Sequence, residues 1–221
     1  MQDLPLTHSE TVGMTLLCEL QPAIAAALNS LGKKPTKSVA DLFYLYAASH
    51  ISTAVEAFIL LRREHRVDGA RLVVRPALET MLRLRAVRVK PHLLYRVLFG
   101  EALEIDKWLG GVAKRHRVPY IRVCDRELWQ AFKARCVSEF GAETLAEVPL
   151  TSYDAAAAIG IESYYETHYR AYCQYTHGAL EAVSGVLNEL TDPEDTRVML
   201  NSAMPALEAL VQMGAYCPNV E

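Results

Sequence analysis

Apolar residues return at helical spacing along almost the whole chain, and no stretch alternates apolar and polar side chains as a half-buried strand or hairpin must. That restricts the fold class to all-α, a multi-helix bundle with short connections, which reads as a single domain over 1–221. A chain of 221 residues with 51% apolar side chains is of one-domain size and can bury a sizeable core. The 22% charged content excludes a disordered chain, and 11 Gly and 10 Pro without any low-complexity tract exclude a fibrous one. No repeat of fixed period appears, so a solenoid is not expected.

Start and stop signals place the helices. The first is predicted over residues 9–30, with Gly32 behind it as the C′ residue. A second begins near Ser38 and carries the most apolar run to Arg63. Asp68 reads as the N-cap of a third helix ending near Val89. Pro91 would head a fourth, which Gly110-Gly111 would end near Leu109. A fifth is expected over 125–140. Pro149 interrupts 142–159, where Ser152 can cap a short Ala-rich turn. A long helix is predicted over 161–190. The last helix has the clearest start, with Asp192 as N-cap, Pro193 at N1, and Glu194 and Asp195 complementing the dipole. Residues 191–221 are thus expected to pack on the bundle as a C-terminal helix.

The window 39–61 is long enough to span a bilayer, but Asp41, His50 and Glu56 would be costly at that depth. It reads as a buried core helix, and no membrane partner is expected. The start has no basic stretch followed by an apolar one, so no secretory signal is read there. Five cysteines (Cys18, Cys124, Cys136, Cys173 and Cys217) form an odd set without a C-x-x-C pair. This points to a reducing, cytoplasmic setting rather than to a disulfide framework or a thiolate zinc site. Neither a metal nor a cofactor is expected. Glu166-Thr167-His168 has the wrong spacing for a di-iron bundle, no G-K-[ST] follows Gly110-Gly111, and H-E-x-x-H and G-x-S-x-G are absent.

The net charge of −3 hides a segregation. Residues 62–135 hold 18 Lys/Arg and 8 Asp/Glu, a surplus of +10, while the rest of the chain carries −13. An anionic partner such as RNA for this basic segment is one explanation; basic and acidic surfaces meeting within the fold or across a homo-oligomer is the other. The compact run Lys114-Arg115-His116-Arg117 is open to the same two readings, phosphate contact or ordinary solvated surface.

Three helices could carry a site. At about 100° per residue, Glu166, Arg170, Gln174, His177, Glu181, Ser184 and Asn188 form one narrow polar stripe on the helix predicted for 161–190. Tyrosines and aliphatic residues cover the remainder. The stripe either meets solvent as a seam braced by Glu166–Arg170 and His177–Glu181 or lines an internal cleft. On the second helix, Ser49, Ser52, Glu56 and Arg63 share a face, and Glu56 needs a cationic partner if buried. His50 points the opposite way and reads as a core histidine. On the third helix, Arg71, Arg75, Glu79 and Arg83 line one side at i,i+4 steps. Arg71 and Arg83 fit a surface, whereas Arg75 and Glu79 fit a buried network and a solvated pair equally. Pro76 within this pattern should bend the helix and free a carbonyl.

Two patterns carry resemblances. The block from His50-Ile51-Ser52 through Arg75-Pro76-Ala77-Leu78-Glu79, followed by Tyr172-x-x-Tyr175-Thr176-His177, resembles a broad family of helical bacterial proteins of unknown function over about residues 40–190. That likeness implies a helical fold in which Arg75, Glu79 and His177 converge, and it brings no activity. Arg170, six residues, then His177 is similar to the R-x4-6-H motif of HEPN domains, many of which are metal-independent ribonucleases of toxin–antitoxin or phage-defence systems. The resemblance implies a HEPN-like fold with the motif paired across a homodimer. Arg170 and His177 would be catalytic, with Glu166, Gln174 and Glu181 around them and Arg75 and Glu79 orienting the histidine or binding phosphate. Six intervening residues is the longest spacing of that pattern, and Ala171 stands where a polar residue is common. Two other readings remain: a non-enzymatic immunity, antitoxin or adaptor protein acting on a cognate protein partner, and a small-molecule bundle walled by Tyr165, Tyr169 and Tyr172.

Overall fold

The computed structural model describes residues 8–33, 38–141, 145–176 and 192–214. In chain order the helices are α1 (His8–Leu31), α2 (Val39–Arg63), α3 (Val67–Val89), α4 (Leu93–His116), α5 (Glu127–Phe140), α6 (Ser152–Ala158), α7 (Glu162–Tyr164), α8 (Arg170–Thr176) and α9 (Asp192–Gln212). A 3₁₀ turn at Val123–Asp125 precedes α5, and a π-helical turn at Tyr165–Tyr169 joins α7 to α8. No strand occurs among the described residues, and the protein is all-α, as the periodicity requires. Where the sequence reads as one helical domain over 1–221, the chain divides into two compact units, 1–84 with 161–221, and 85–160.

In the first unit α1, α2 and α9 pack on one another. Their buried faces are the apolar stripes of the sequence: Leu17 and Ile24 from α1, Ile51, Val55 and Phe58 from α2, Met199 and Leu210 from α9. Each such side chain contributes about 1.5–3 kcal/mol on leaving water. Thr11–Leu31 and Val39–Arg63 are long and apolar enough to cross a membrane by length and composition, with 28% and 44% of their most apolar windows buried here. Gly13 permits the close approach of α1 and α9, since a Cβ there would lie 2.8 Å from Thr196 Cγ2.

Helix ends follow local chemistry more closely than the simplest sequence signals. Ser38 caps α2 through a complete capping box, its Oγ accepting from Asp41 N at 3.0 Å while Asp41 Oδ2 accepts from Ser38 N at 3.0 Å. Asp68, expected as the cap of α3, instead sits in its first turn, because the ladder already begins with Ala70 N donating to Arg66 O. Gly32 is not left-handed; its amide donates to Leu28 O at 2.8 Å. Thr151, not Ser152, caps α6 by accepting from Asp154 N.

In the second unit Pro91 belongs to a turn ahead of α4 rather than to its first position, with Leu94 N donating to Pro91 O. Gly110-Gly111 do not end α4. Two interior glycines cost about 1 kcal/mol each, yet the helix continues through buried Ala113 into a basic last turn that suits the dipole. It stops at Arg117, which takes the left-handed conformation at φ 55°. Tyr95, Phe99, Trp129 and Phe132 form the aromatic core of this unit, with ring centroids 5.2 to 6.3 Å apart. Arg96 holds the 148–154 segment by donating to Val148 O, Pro149 O and Asp154 Oδ2.

Candidate functional site

The polar residues of interest lie in the first unit, on α3, on the segment 162–176, and at the start of α9. Deepest is a three-residue network. Arg71, only 7% exposed, donates from Nε to Asp195 Oδ2 at 2.8 Å, and Tyr172 donates its hydroxyl to Asp195 Oδ1 at 2.6 Å. Asp195 is fully buried. A carboxylate in that position is tolerable only with a cation and hydrogen bonds around it. Burial, reinforced by the facing carboxylate, pushes the Tyr172 hydroxyl far up, so it remains a donor. Two sequence expectations are corrected here. Arg71 is a core residue rather than a surface one, and Asp195 serves this network rather than only the helix dipole.

One turn further along α3, Arg75 places its guanidinium 5.9 Å above the ring of Tyr169, which stacks on Tyr165 at 4.9 Å. Glu79 accepts from Arg83 Nη2 at 2.8 Å and from Tyr169 Oη at 3.4 Å. Burial opposes the charge on Arg75, but the bond to Tyr169 and the nearby Glu79 outweigh it and raise its pKa. Arg75 and Glu79 are thus half-buried members of an aromatic and ionic cluster with Tyr165, Tyr169 and Arg83.

Glu166 and Arg170 straddle the end of the π turn and are joined at 2.6 Å between Glu166 Oε2 and Arg170 Nη1, both exposed. The guanidinium is therefore presented to solvent with one carboxylate holding it. His177 and Glu181 lie outside the described residues, as do Ser184 and Asn188, and so does the side chain of Gln174. A π turn carries one residue more than an α turn, so a stripe drawn at constant 100° steps does not keep one direction through Tyr165–Tyr169. Such turns occur often at functional sites.

His168, read from the sequence only as a metal-motif mismatch, forms a separate group with Tyr164, Thr167 and Glu194. Its Nε2 lies 2.6 Å from Glu194 Oε1, its Nδ1 lies 2.8 Å from Thr167 Oγ1, and its ring stacks on Tyr164 at 4.2 Å. Arg197 also donates to Glu194. The i,i+4 pair of aromatic rings Tyr164 and His168 was the available sequence signal.

Glu56 is exposed and stands elsewhere, in a groove lined by Cys18, Gln21, Pro22, Ile59, Leu60 and Arg63. Arg63 donates to Cys18 Sγ at 3.3 Å in that groove. His50 is not a core histidine: it is exposed, stacks on Tyr46, and meets the Thr80 hydroxyl at 3.0 Å. That hydroxyl donates to the carbonyl of Pro76, inside α3. Among the described residues no group of His, Cys, Asp and Glu could hold a metal ion.

The arrangement is suited to anions: guanidinium groups of Arg75, Arg83 and Arg170 stand near the Tyr165–Tyr169 pair, positioned by Glu79 and Glu166. No curated protein and no solved structure matches the chain. The model of a family of unknown function, DUF5677, matches residues 40–195, a range that runs from the first turn of α2 through α8 and ends on Asp195 itself. With a match over most of its length, and with the Arg71–Tyr172–Asp195 network inside it, the chain belongs to this family of unknown function, DUF5677.

Proposed function

We propose that the protein binds RNA and cleaves it without a metal, as a homodimer acting in the cytoplasm, with Arg170 and His177 as the catalytic pair. The observation that supports this best is the exposed Arg170 guanidinium, held by Glu166 immediately after a π turn and beside the Arg75–Tyr169–Tyr165 cluster. The His177 imidazole would take the proton of a ribose 2′-hydroxyl as its oxygen attacks the adjacent phosphorus. Arg170 would neutralise the pentacoordinate phosphorane, and a second protonated imidazole, His177 of the other copy, would return a proton to the departing 5′-oxygen. The products would be a 2′,3′-cyclic phosphate and a 5′-hydroxyl. Arg75 would hold a neighbouring phosphate, and Glu79 would position it. The similarity of Arg170-x6-His177 to the HEPN motif and the basic surplus over 62–135 favour RNA over other anions.

The test is incubation of purified protein with total RNA in chelator, wild type beside Arg170→Ala and His177→Ala, with circular dichroism on all three. Cleavage by wild type alone supports both roles. Cleavage retained by a folded His177→Ala removes the catalytic assignment. Absence of both cleavage and RNA binding by the wild type turns the function toward association with a protein partner, as an immunity, antitoxin or adaptor protein would act.

A further inference from the structure

The second unit carries a surface that the Arg170 site does not use. On α4, Trp108 is 69% exposed, and Val112 and Arg115 follow it on the same helix face, both exposed. With Ile105 and Val112, also exposed, Trp108 forms an uncovered apolar run on this helix, while the aromatic core of the unit is served by Trp129 instead. Gly111 stands one turn beyond Trp108. A Cβ there would meet nothing within 4 Å and the residue has no positive φ, so neither packing nor backbone conformation requires a glycine. The glycine adds no side chain to that stretch of the helix.

Beyond this ring the chain is basic. No acidic residue lies between Lys107 and Cys124, while Lys114, Arg115, His116, Arg117 and Arg122 are all exposed. Cations in the last turn of a helix complement its dipole, but that does not account for Arg117 and Arg122, which lie beyond α4. The loop that carries them is pinned back on α4, since Asp106 Oδ1 accepts from Tyr120 Oη at 2.6 Å and from Val123 N at 2.5 Å. Glu104, the nearby carboxylate, is neutralised by Lys107 at 2.5 Å.

An exposed aromatic ring followed by a run of exposed cations is a combination that binds single-stranded nucleic acid, the ring stacking a base while the cations track the phosphates. The geometry points to Trp108 with Lys114, Arg115 and Arg117 as a binding platform for single-stranded RNA. This rests on the RNA reading above and assigns the strand a second contact surface, distinct from Arg170.

The experiment measures binding of the full chain to a labelled U-rich RNA oligonucleotide across a salt series. Wild type is compared with Trp108→Ala and with the triple change Lys114→Ala, Arg115→Ala, Arg117→Ala, all verified as folded by circular dichroism. Trp108→Ala should weaken binding about tenfold. The triple variant should flatten the slope of log affinity against log salt by about 2. Inorganic polyphosphate should bind wild type and Trp108→Ala alike. RNA binding by wild type that none of these variants weakens overturns the platform and leaves the RNA reading standing. A wild type that binds no RNA overturns both.

Discussion

Arg71 on α3 and Asp195 on α9 are 124 residues apart in the chain and form a buried ion pair, Nε to Oδ2 at 2.8 Å, with Tyr172 closing the other carboxylate oxygen. The pair joins α3 to the last residue of the family match, and Tyr172 ties the segment that carries Arg170 to it. Its energetic meaning is asymmetric: the intact set is neutral to stability or modestly favourable, whereas removing one member strands the other.

Asp195→Ala should therefore cost about 3–5 kcal/mol, because the Arg71 guanidinium keeps its burial and loses its counterion. Tyr172→Phe should cost about 1.5–3 kcal/mol, the value of a hydrogen bond to a charged group. Urea unfolding followed by circular dichroism checks both, and equal stability of Asp195→Ala and wild type would refute the network's role.

The acid side of the stability curve should depend on Glu194. Burial pushes its carboxyl upward, but the hydrogen bonds from Arg197 and His168 outweigh burial and hold it below the ordinary range. The folded protein thus binds that proton less readily than the unfolded chain. The stabilisation is complete above the unfolded value near 4.5 and is lost as pH falls through the lower folded value. Glu194→Gln should flatten the loss of thermal stability below that pH while lowering stability at neutral pH.

Thiol reactivity should separate the cysteines. Burial, with Glu139 adding to it and Arg135 partly offsetting it, pushes the Cys136 thiol up to about 11, and its side chain is fully covered. Iodoacetamide at pH 8 should alkylate the partly exposed Cys18 and Cys173 well before Cys136, as read by mass spectrometry of the native protein.

Two glycines should respond to alanine with opposite signs. At Gly13 the new methyl would lie 2.8 Å from Thr196 Cγ2, in a fully packed contact with a stiff β-branched side chain, so Gly13→Ala should destabilise by about 1 kcal/mol once the gain in helix propensity is deducted. At Gly111 nothing opposes the methyl, and Gly111→Ala should stabilise by about 0.5–1 kcal/mol. Denaturant midpoints of the two variants measured side by side decide the matter.

The helices were legible because each is a local property. The spacing of apolar residues, the start near Ser38 and the Asp192 start mark α1, α2 and α9 within a residue or two. The errors at Asp68, Pro91 and Gly110-Gly111 share one cause: a preference of about 1 kcal/mol yields to the ladder of hydrogen bonds and to packing on either side. The site was legible only in part. Arg75 and Glu79 appear as an i,i+4 series, but no periodicity says that Tyr169 would supply both a ring for Arg75 and a hydroxyl for Glu79.

The sequence alone determined the all-α class, the chief helix boundaries and the basic surplus over 62–135, since backbone propensity, capping and charge are written residue by residue. Only the tertiary structure decided that Arg71 is buried and Glu56 is not, that His168 pairs with Glu194, and that a π turn shifts the polar stripe ahead of Arg170. Those are contacts between residues far apart in the chain, or changes of helical register, and both depend on which faces meet once the helices pack.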